Sequence, residues 1–407
     1  MKIAVYHPWI YLRGGIERVF VELAKRSRHE LTFFTSHYEP RNTFPEFAKM
    51  RVVDVGGVSV RRSFLDLSSV AKRISGQKLD LQGFDCLVAS TAGFGEFIVF
   101  RNSGLPIVGY VHTPLRVIHD PEYRRAFLAR SPIVSIKALG REFGSDLNFA
   151  IQPLVANLLF PISARAYVGR EREAWKRFAA VITNSEEVKR RIVGTGLLPK
   201  GMGITVLYPG IDLAKMKPGR AYDKYFLAPG RIMWSKNFEL AIAAFRESGL
   251  ASRGFRLVVA GAVDEKSGPY LAKLKALAAG LPVDFVENPS DARLASLYSK
   301  CTCVLFPAVN EDWGIVPVEG MAYAKPVISA DEGGPRESIA DGKTGFLVRP
   351  DARSFAQKMA LLAGSPALVR RMGAAGRKRA ALFTWDECVK RFDAAIDAAV
   401  QRSRSSL

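Results

Sequence analysis

The sequence predicts an α/β fold of two doubly wound parallel sheets facing each other across a cleft. Three observations predict it. Short apolar runs alternate with helical patterns along the chain. The rhythm pauses at one polar stretch, "IDLAKMKPGRAYDKY", and then restarts. The 407 residues, 48% apolar and 24% charged, suffice for two packed domains of ordinary size.

In the first half, "KIAVYHP", "ELTFFTS", "DCLVAS", "PIVGYVHT", "AVITNS" and "TVLYPG" read as buried parallel strands. "GIERVFVELAKRS" and "SEEVKRRIV" read as the helices between them. In the second half the strands are "YFLAPG", "FRLVVAG", "VDFVEN", "CTCVLFPA", "KPVISAD" and "TGFLVRP", separated by helices such as "NFELAIAAFRES". This alternation implies sheets covered by helices on both faces. The expected division is an N-terminal domain over 1–215, a linker near 215–224, a C-terminal domain over 225–384, and a last helix over 385–407 packing back across the junction. Residues 121–178 break the rhythm. They carry no clear strand and many cations, and read as a helical insert.

The formal net charge of +20 implies an acidic partner such as nucleic acid, anionic lipid or a phosphorylated substrate. Nucleic acid is disfavoured, because no basic run has interleaved aromatics and no recognition-helix motif is present. Cys86, Cys301, Cys303 and Cys388 form no zinc-spaced set, and no metal site is expected. Cys301 and Cys303 are expected on one face of a strand, as core residues. "MKIAVYHPWI" does not read as a signal peptide. No run reaches the ~18–20 apolar residues that span a bilayer.

Ligands in doubly wound sheets bind beyond the carboxyl ends of the strands. Unusual residues cluster there. Gly14 and Gly15 follow the first strand. They could bring backbone amides to an anion, and equally could serve a tight turn with positive φ. They are not a G-x-G-x-x-G, which disfavours a nicotinamide cofactor. His112 ends "GYVHT", at a predicted ligand edge, where a structural role competes with a functional one. Arg231 and Lys236 follow the strand "YFLAPG". Two cations near a glycine turn could clamp a diphosphate or simply be solvated. Glu311 and Glu319 stand with seven residues between them, after "CTCVLFPA". Carboxylates accept hydrogen bonds from hydroxyls, and a helix start favours phosphate. A ligand with hydroxyls at both ends and phosphates between, such as a nucleotide sugar, fits this pattern.

These blocks resemble the retaining glycosyltransferases of family 4, which have the two-domain GT-B fold. "GGIERVFVELAK", "VITNSEEVKRRI", "LYPGIDLAKM", "GRIMWSKNFELAIAAF", the E-x7-E pair, "EGGPRESIADGKTGFLV" and "FTW" occur in the family's order over nearly the whole chain. The resemblance implies sugar transfer from a nucleotide diphosphate sugar to an acceptor hydroxyl, with retention and without metal or other cofactor. It implies that Glu311 meets the sugar hydroxyls, Glu319 the ribose, and Arg231 and Lys236 the diphosphate. Gly314, Ile315 and Val316 would add backbone amides, Gly15 would meet the phosphates, and His112 would lie beside the reacting centre. No covalent nucleophile is apparent, so front-face substitution is expected.

"YVHTPLRVIHD" further resembles mannosyltransferases of polysaccharide and O-antigen assembly, which makes GDP-mannose the first choice of donor. A UDP-glucose- or UDP-N-acetylglucosamine-dependent transferase of the same family is the alternative. A sugar-nucleotide epimerase on the same fold is a further one, disfavoured by E-x7-E together with R-x4-K-N. The first 200 residues carry more than half of the positive excess. The expectation is a cytoplasmic, peripheral enzyme at the inner face of the cell membrane. It would act on a lipid-linked or saccharide acceptor, with "RRSFLDLSSVAKRI" and parts of 121–178 lying on anionic lipid.

Overall fold

The structure is a computed structural model that describes residues 1–58, 67–130, 163–219, 222–264 and 267–405. Arg61, Arg62 and positions 131–162 of the expected insert lie outside the described residues. The chain divides into two compact units. The first comprises Met1–Asn184, Val188–Leu207 and Val389–Leu407, and the second Ser185–Glu187 and Tyr208–Cys388.

The first unit is a seven-stranded parallel sheet of β1 (Lys2–Tyr6), β2 (Glu30–Thr35), β3 (Arg51–Asp54), β4 (Cys86–Thr91), β5 (Ile107–Val111), β6 (Ala180–Thr183) and β7 (Ile204–Val206). The order is β3-β2-β1-β4-β5-β6-β7. The second is a six-stranded parallel sheet of β8 (Tyr225–Pro229), β9 (Arg256–Gly261), β10 (Val283–Glu287), β11 (Cys303–Phe306), β12 (Val327–Ala330) and β13 (Gly345–Val348), in the order β10-β9-β8-β11-β12-β13. Each sheet runs outward in both directions from its first strand. The strand order therefore reverses between β1 and β4, and between β8 and β11. Those reversals open the crevices where ligands of such folds bind.

The central strands are buried on both faces, which explains their unbroken apolar runs. In the second unit one core lies around Phe226, Phe245 and Leu257 and another around Leu227, Val304 and Met321. Among the described residues, the one strand that the apolar pattern did not reveal is β3, "RVVD". It is a half-exposed edge strand with charged ends.

Three local expectations are corrected. The expected linker at 215–224 lies inside the second unit, because Ile211 already bridges Thr384 and its amide donates to Phe383 O at 3.0 Å. Cys301 is not a strand residue. It caps the helix Asp291–Lys300, and only Cys303 lies on β11. The helix Leu67–Gly76 does not offer an apolar face to lipid, because Val70, Ala71 and Ile74 are buried in the core of the first unit. Burying such side chains gains roughly 1.5–3 kcal/mol each for the larger ones, so this face is committed to the fold.

Candidate active site

In the second unit, the β8/β11 crevice gathers four of the expected side chains within two loops and one helix. The loop after β8 carries Arg231 and Lys236, and the loop after β11 carries Glu311. The two loops are tied by Val309 N donating to Ser235 O at 2.9 Å. Arg231 is exposed and makes no hydrogen bond or ion pair among the described residues. Lys236 Nζ donates to Glu311 Oε2 in a direct ion pair. It also lies 5.6 Å from the centre of the Phe306 ring. Both side chains of the pair are about a fifth exposed.

The Glu311 loop is held from behind. Asn310 N donates to Glu332 Oε2 at 2.9 Å, and Gly334 N donates to Glu311 O at 2.9 Å. Gly333 adopts φ 62°, and a Cβ there would fall 2.1 Å from Glu311 O. Only glycine lets this second turn press against the Glu311 loop.

The helix Ile315–Ala322 begins at Gly314, whose φ of 77° turns the chain into it. No side chain caps its start, so the amides of Ile315 and Val316 belong to the orphan donors of the first turn. Glu319 is the fifth residue of this helix. It accepts a 2.7 Å hydrogen bond from the hydroxyl of Tyr298, which is buried and stacked on Tyr323 at 5.2 Å. Burial, and then the charge of Glu319, push the Tyr298 hydroxyl far above its usual range, so it remains a donor. Sequence reasoning missed Tyr298, whose signal is only its place in an ordinary helix.

In the first unit, the β1/β4 crevice is lined by His7, Ser90 and His112. Tyr6 pairs with Ala89, and Ser90 with Tyr110, so the three residues emerge side by side at the carboxyl ends of β1, β4 and β5. His112 is 4% exposed. Burial, and then the charge of His7, hold its imidazolium pKa well below the ordinary value, so the ring is neutral at neutral pH.

Gly14 and Gly15 are placed differently from the turn considered for them. Neither has positive φ. A Cβ on Gly14 would fall 2.5 Å from Glu17 Oε2, whereas Gly15 has open space around it. Gly15 opens the helix Gly15–Arg26, whose first turn already holds the buried carboxylate of Glu17. That charge suits the helix dipole and competes there with a phosphate.

Beneath β4 lies a buried network that the sequence did not reveal. Tyr167 OH donates to Glu96 Oε1 at 3.0 Å, Thr91 Oγ1 bonds Glu96, and His119 Nε2 lies 2.7 Å from Glu171 Oε2. Burial, and then the charge of Glu171, push the Glu96 carboxyl up to about 8.

Comparison with known proteins assigns this architecture. Residues 13–215 match the Glycosyltransferase Family 4 description, and residues 214–379 match Glycosyl transferases group 1. The chain belongs to glycosyltransferase family 4. This family 4 glycosyltransferase is 29% identical to the alpha-1,3/1,6-mannosyltransferase ALG2 of Dictyostelium discoideum, over 93% of each chain. It is 35% identical to human ALG2 over 43% of this chain and 47% of that protein. Sucrose-phosphate synthase of Thermosynechococcus elongatus superposes with a TM-score of 0.71 at 18% identity, covering all of both chains. Anabaena HepE in complex with UDP and glucose gives 0.68 at 16%, covering 98% of this chain and 100% of that one. These structures share the α/β GT-B fold with the family 4 glycosyltransferase described here. Among its described residues no His, Cys, Asp and Glu group is arranged to hold a metal ion, and no helix is long and apolar enough to cross a membrane.

Proposed function

We propose that this glycosyltransferase moves mannose from GDP-mannose to a hydroxyl of a lipid-linked acceptor, with retention of configuration. The observation that carries the donor reading is the β8/β11 crevice. It offers the guanidinium of Arg231, which has no hydrogen bond or ion pair among the described residues, the Lys236–Glu311 pair, the open helix start at Ile315 and Val316, and Glu319 fixed by Tyr298. Likeness to ALG2 along nearly the whole chain supports mannose.

In this reading the diphosphate lies against Arg231, Lys236 and the amides of Ile315 and Val316. Glu311 receives sugar hydroxyls and Glu319 receives the ribose. The bond from the anomeric carbon to the diphosphate oxygen breaks, and one from that carbon to the acceptor oxygen forms on the same face. The acceptor's proton leaves on the departing phosphate. Charge develops on that phosphate, so preorganised cations stabilise the transition state more than the ground state. They supply the countercharge without a metal. In the first unit, His112 is a buried neutral polar group and Gly15 has open space around it.

A second reading takes a soluble phosphorylated acceptor. It is favoured by 31% identity to the D-inositol 3-phosphate glycosyltransferase of Streptomyces avermitilis over 55% of this chain. Incubation with labelled GDP-mannose, UDP-glucose and UDP-N-acetylglucosamine, with and without a lipid extract, tests both readings. Label from GDP-mannose in the organic phase upholds the first. Label that stays in the aqueous phase with an added inositol phosphate upholds the second. Transfer from a UDP-sugar alone overturns the choice of donor.

A further inference from the structure

His112 has a supporting chain that neither the motif nor the family match assigns. Ser90 Oγ lies 2.9 Å from His112 Nε2 and 3.1 Å from His7 Nδ1. All three side chains are buried, and Ser90 is wholly so. The His112 ring also packs at 4.3 Å on the ring of Tyr110 and meets Phe20 at 6.3 Å and His7 at 6.4 Å, measured between ring centres. No partner for His112 Nδ1 is present among the described residues, so Nδ1 is the ring atom left for substrate.

A serine hydroxyl has one proton. Between two imidazole nitrogens it donates to one and accepts from the other. If Ser90 donates to His112 Nε2, the His112 proton sits on Nδ1, which is then a donor. His7 Nδ1–H completes the chain by donating to Ser90. If Ser90 instead donates to His7, His112 carries its proton on Nε2 and presents Nδ1 as an acceptor. The two arrangements differ by a hydroxyl rotation and two tautomers, with no change of charge. Partners at the far ring nitrogen set which nitrogen of a histidine does the work.

We propose that Ser90 and His7 are positioning residues, which lock the ring of His112 and leave its Nδ1 as the working atom in sugar transfer. This rests on the glycosyl-transfer reading of the site. Ser90→Ala removes the bridge and leaves a methyl in its place. The ring then loses its fixed tautomer and orientation, and misplacement of a reacting group by about 1 Å costs on the order of 10²-fold.

The experiment compares wild type, Ser90→Ala, Ser90→Thr and His7→Phe by steady-state transfer from GDP-mannose and by ¹⁵N NMR of the histidine side chains. The expected result is a kcat lower by about 10–10²-fold in Ser90→Ala, with the KM for donor unchanged within about twofold. Ser90→Thr, which keeps the hydroxyl, recovers activity. His7→Phe lies between them. The spectrum of the wild type shows one dominant His112 tautomer, and that of Ser90→Ala shows a mixture. A Ser90→Ala enzyme with wild-type kcat, or one whose His112 tautomer is unaltered, overturns the proposal. The NMR comparison needs no turnover. A wild type that transfers no sugar therefore overturns the donor reading, while an unaltered tautomer overturns the positioning role.

Discussion

Lys236 and Glu311 act on one another before they act on a ligand, and this changes what their substitution does. On the proposed reading, Lys236→Ala removes a phosphate-directed charge and breaks the ion pair with Glu311. A lost preorganised contact of this kind costs about 10²–10³ in rate, so turnover falls by that factor. Glu311→Gln releases Lys236 from its ion pair. The affinity for bare GDP then holds or rises, while turnover drops. Glu319→Ala is expected to weaken bare GDP itself, because the ribose loses its carboxylate and Tyr298 its acceptor. Calorimetry with GDP separates the two glutamates, and equal losses in both variants would refute the placement along the ligand. The E-x7-E spacing was legible in the sequence because it is local. The Lys236–Glu311 contact joins residues 75 apart, and no local pattern announces it.

At the scale of elements, the two turns behind Glu311 and the network under β4 make separate predictions. Gly333→Ala meets both a φ of 62° and a Cβ placed 2.1 Å from Glu311 O. It must shift the Glu311 loop, so turnover falls further than the drop in urea midpoint alone explains. Kinetics and denaturation on the same preparation check this. The Glu96 carboxyl, raised to about 8 by burial and by Glu171, makes a pH prediction. Unfolded, it titrates near its ordinary value of 4.5. Between about 4.5 and about 8 the native state holds a proton that the unfolded chain has lost, so this group's contribution to stability falls as pH rises. Glu96→Gln imitates the protonated acid. Its melting temperature relative to wild type is expected to increase from pH 5 to pH 8, and a constant difference would remove the buried neutral carboxyl from the account. The strands around these sites were readable from their apolar runs. The network was not, because Thr91, Glu96, His119, Tyr167 and Glu171 come from separate segments with ordinary local patterns.

For the whole molecule the question is what the positive excess serves. The helix Leu67–Gly76 keeps Lys72 and Arg73 at the surface, but its apolar side is spent on the core. Adsorption through this helix would therefore be electrostatic, without insertion. Each near-surface cation contributes about 1 kcal/mol on an anionic leaflet. Screening shortens from ~10 Å at 0.1 M salt to ~3 Å at 1 M. Sedimentation with phosphatidylserine vesicles is expected to bring the protein down at low salt and release it at high salt. Lys72→Glu combined with Arg73→Glu should reduce binding while GDP affinity stays the same. Wild type that ignores such vesicles at low salt would move the choice toward the soluble acceptor. On the proposed reading, in which Arg231 and Lys236 carry the countercharge, chelator is expected to leave transfer intact, and strict dependence on added magnesium would contradict it.

The sequence by itself determined the two parallel sheets and the family, and it named the candidate donor residues that the proposed function uses. Apolar periodicity and motif spacing are local properties, and a parallel strand buried on both faces cannot hide its apolar run. Only the tertiary structure decided where the chain passes from one unit to the other. Ile211 pairs with Thr384, far away in sequence, and draws the expected linker into the second unit. Only the tertiary structure showed that the apolar side of 67–76 faces inward, since amphipathic periodicity is the same for a core and for a membrane. And only parallel register brought His7, Ser90 and His112 together, because strand order, invisible in a linear chain, decides which strand ends are neighbours.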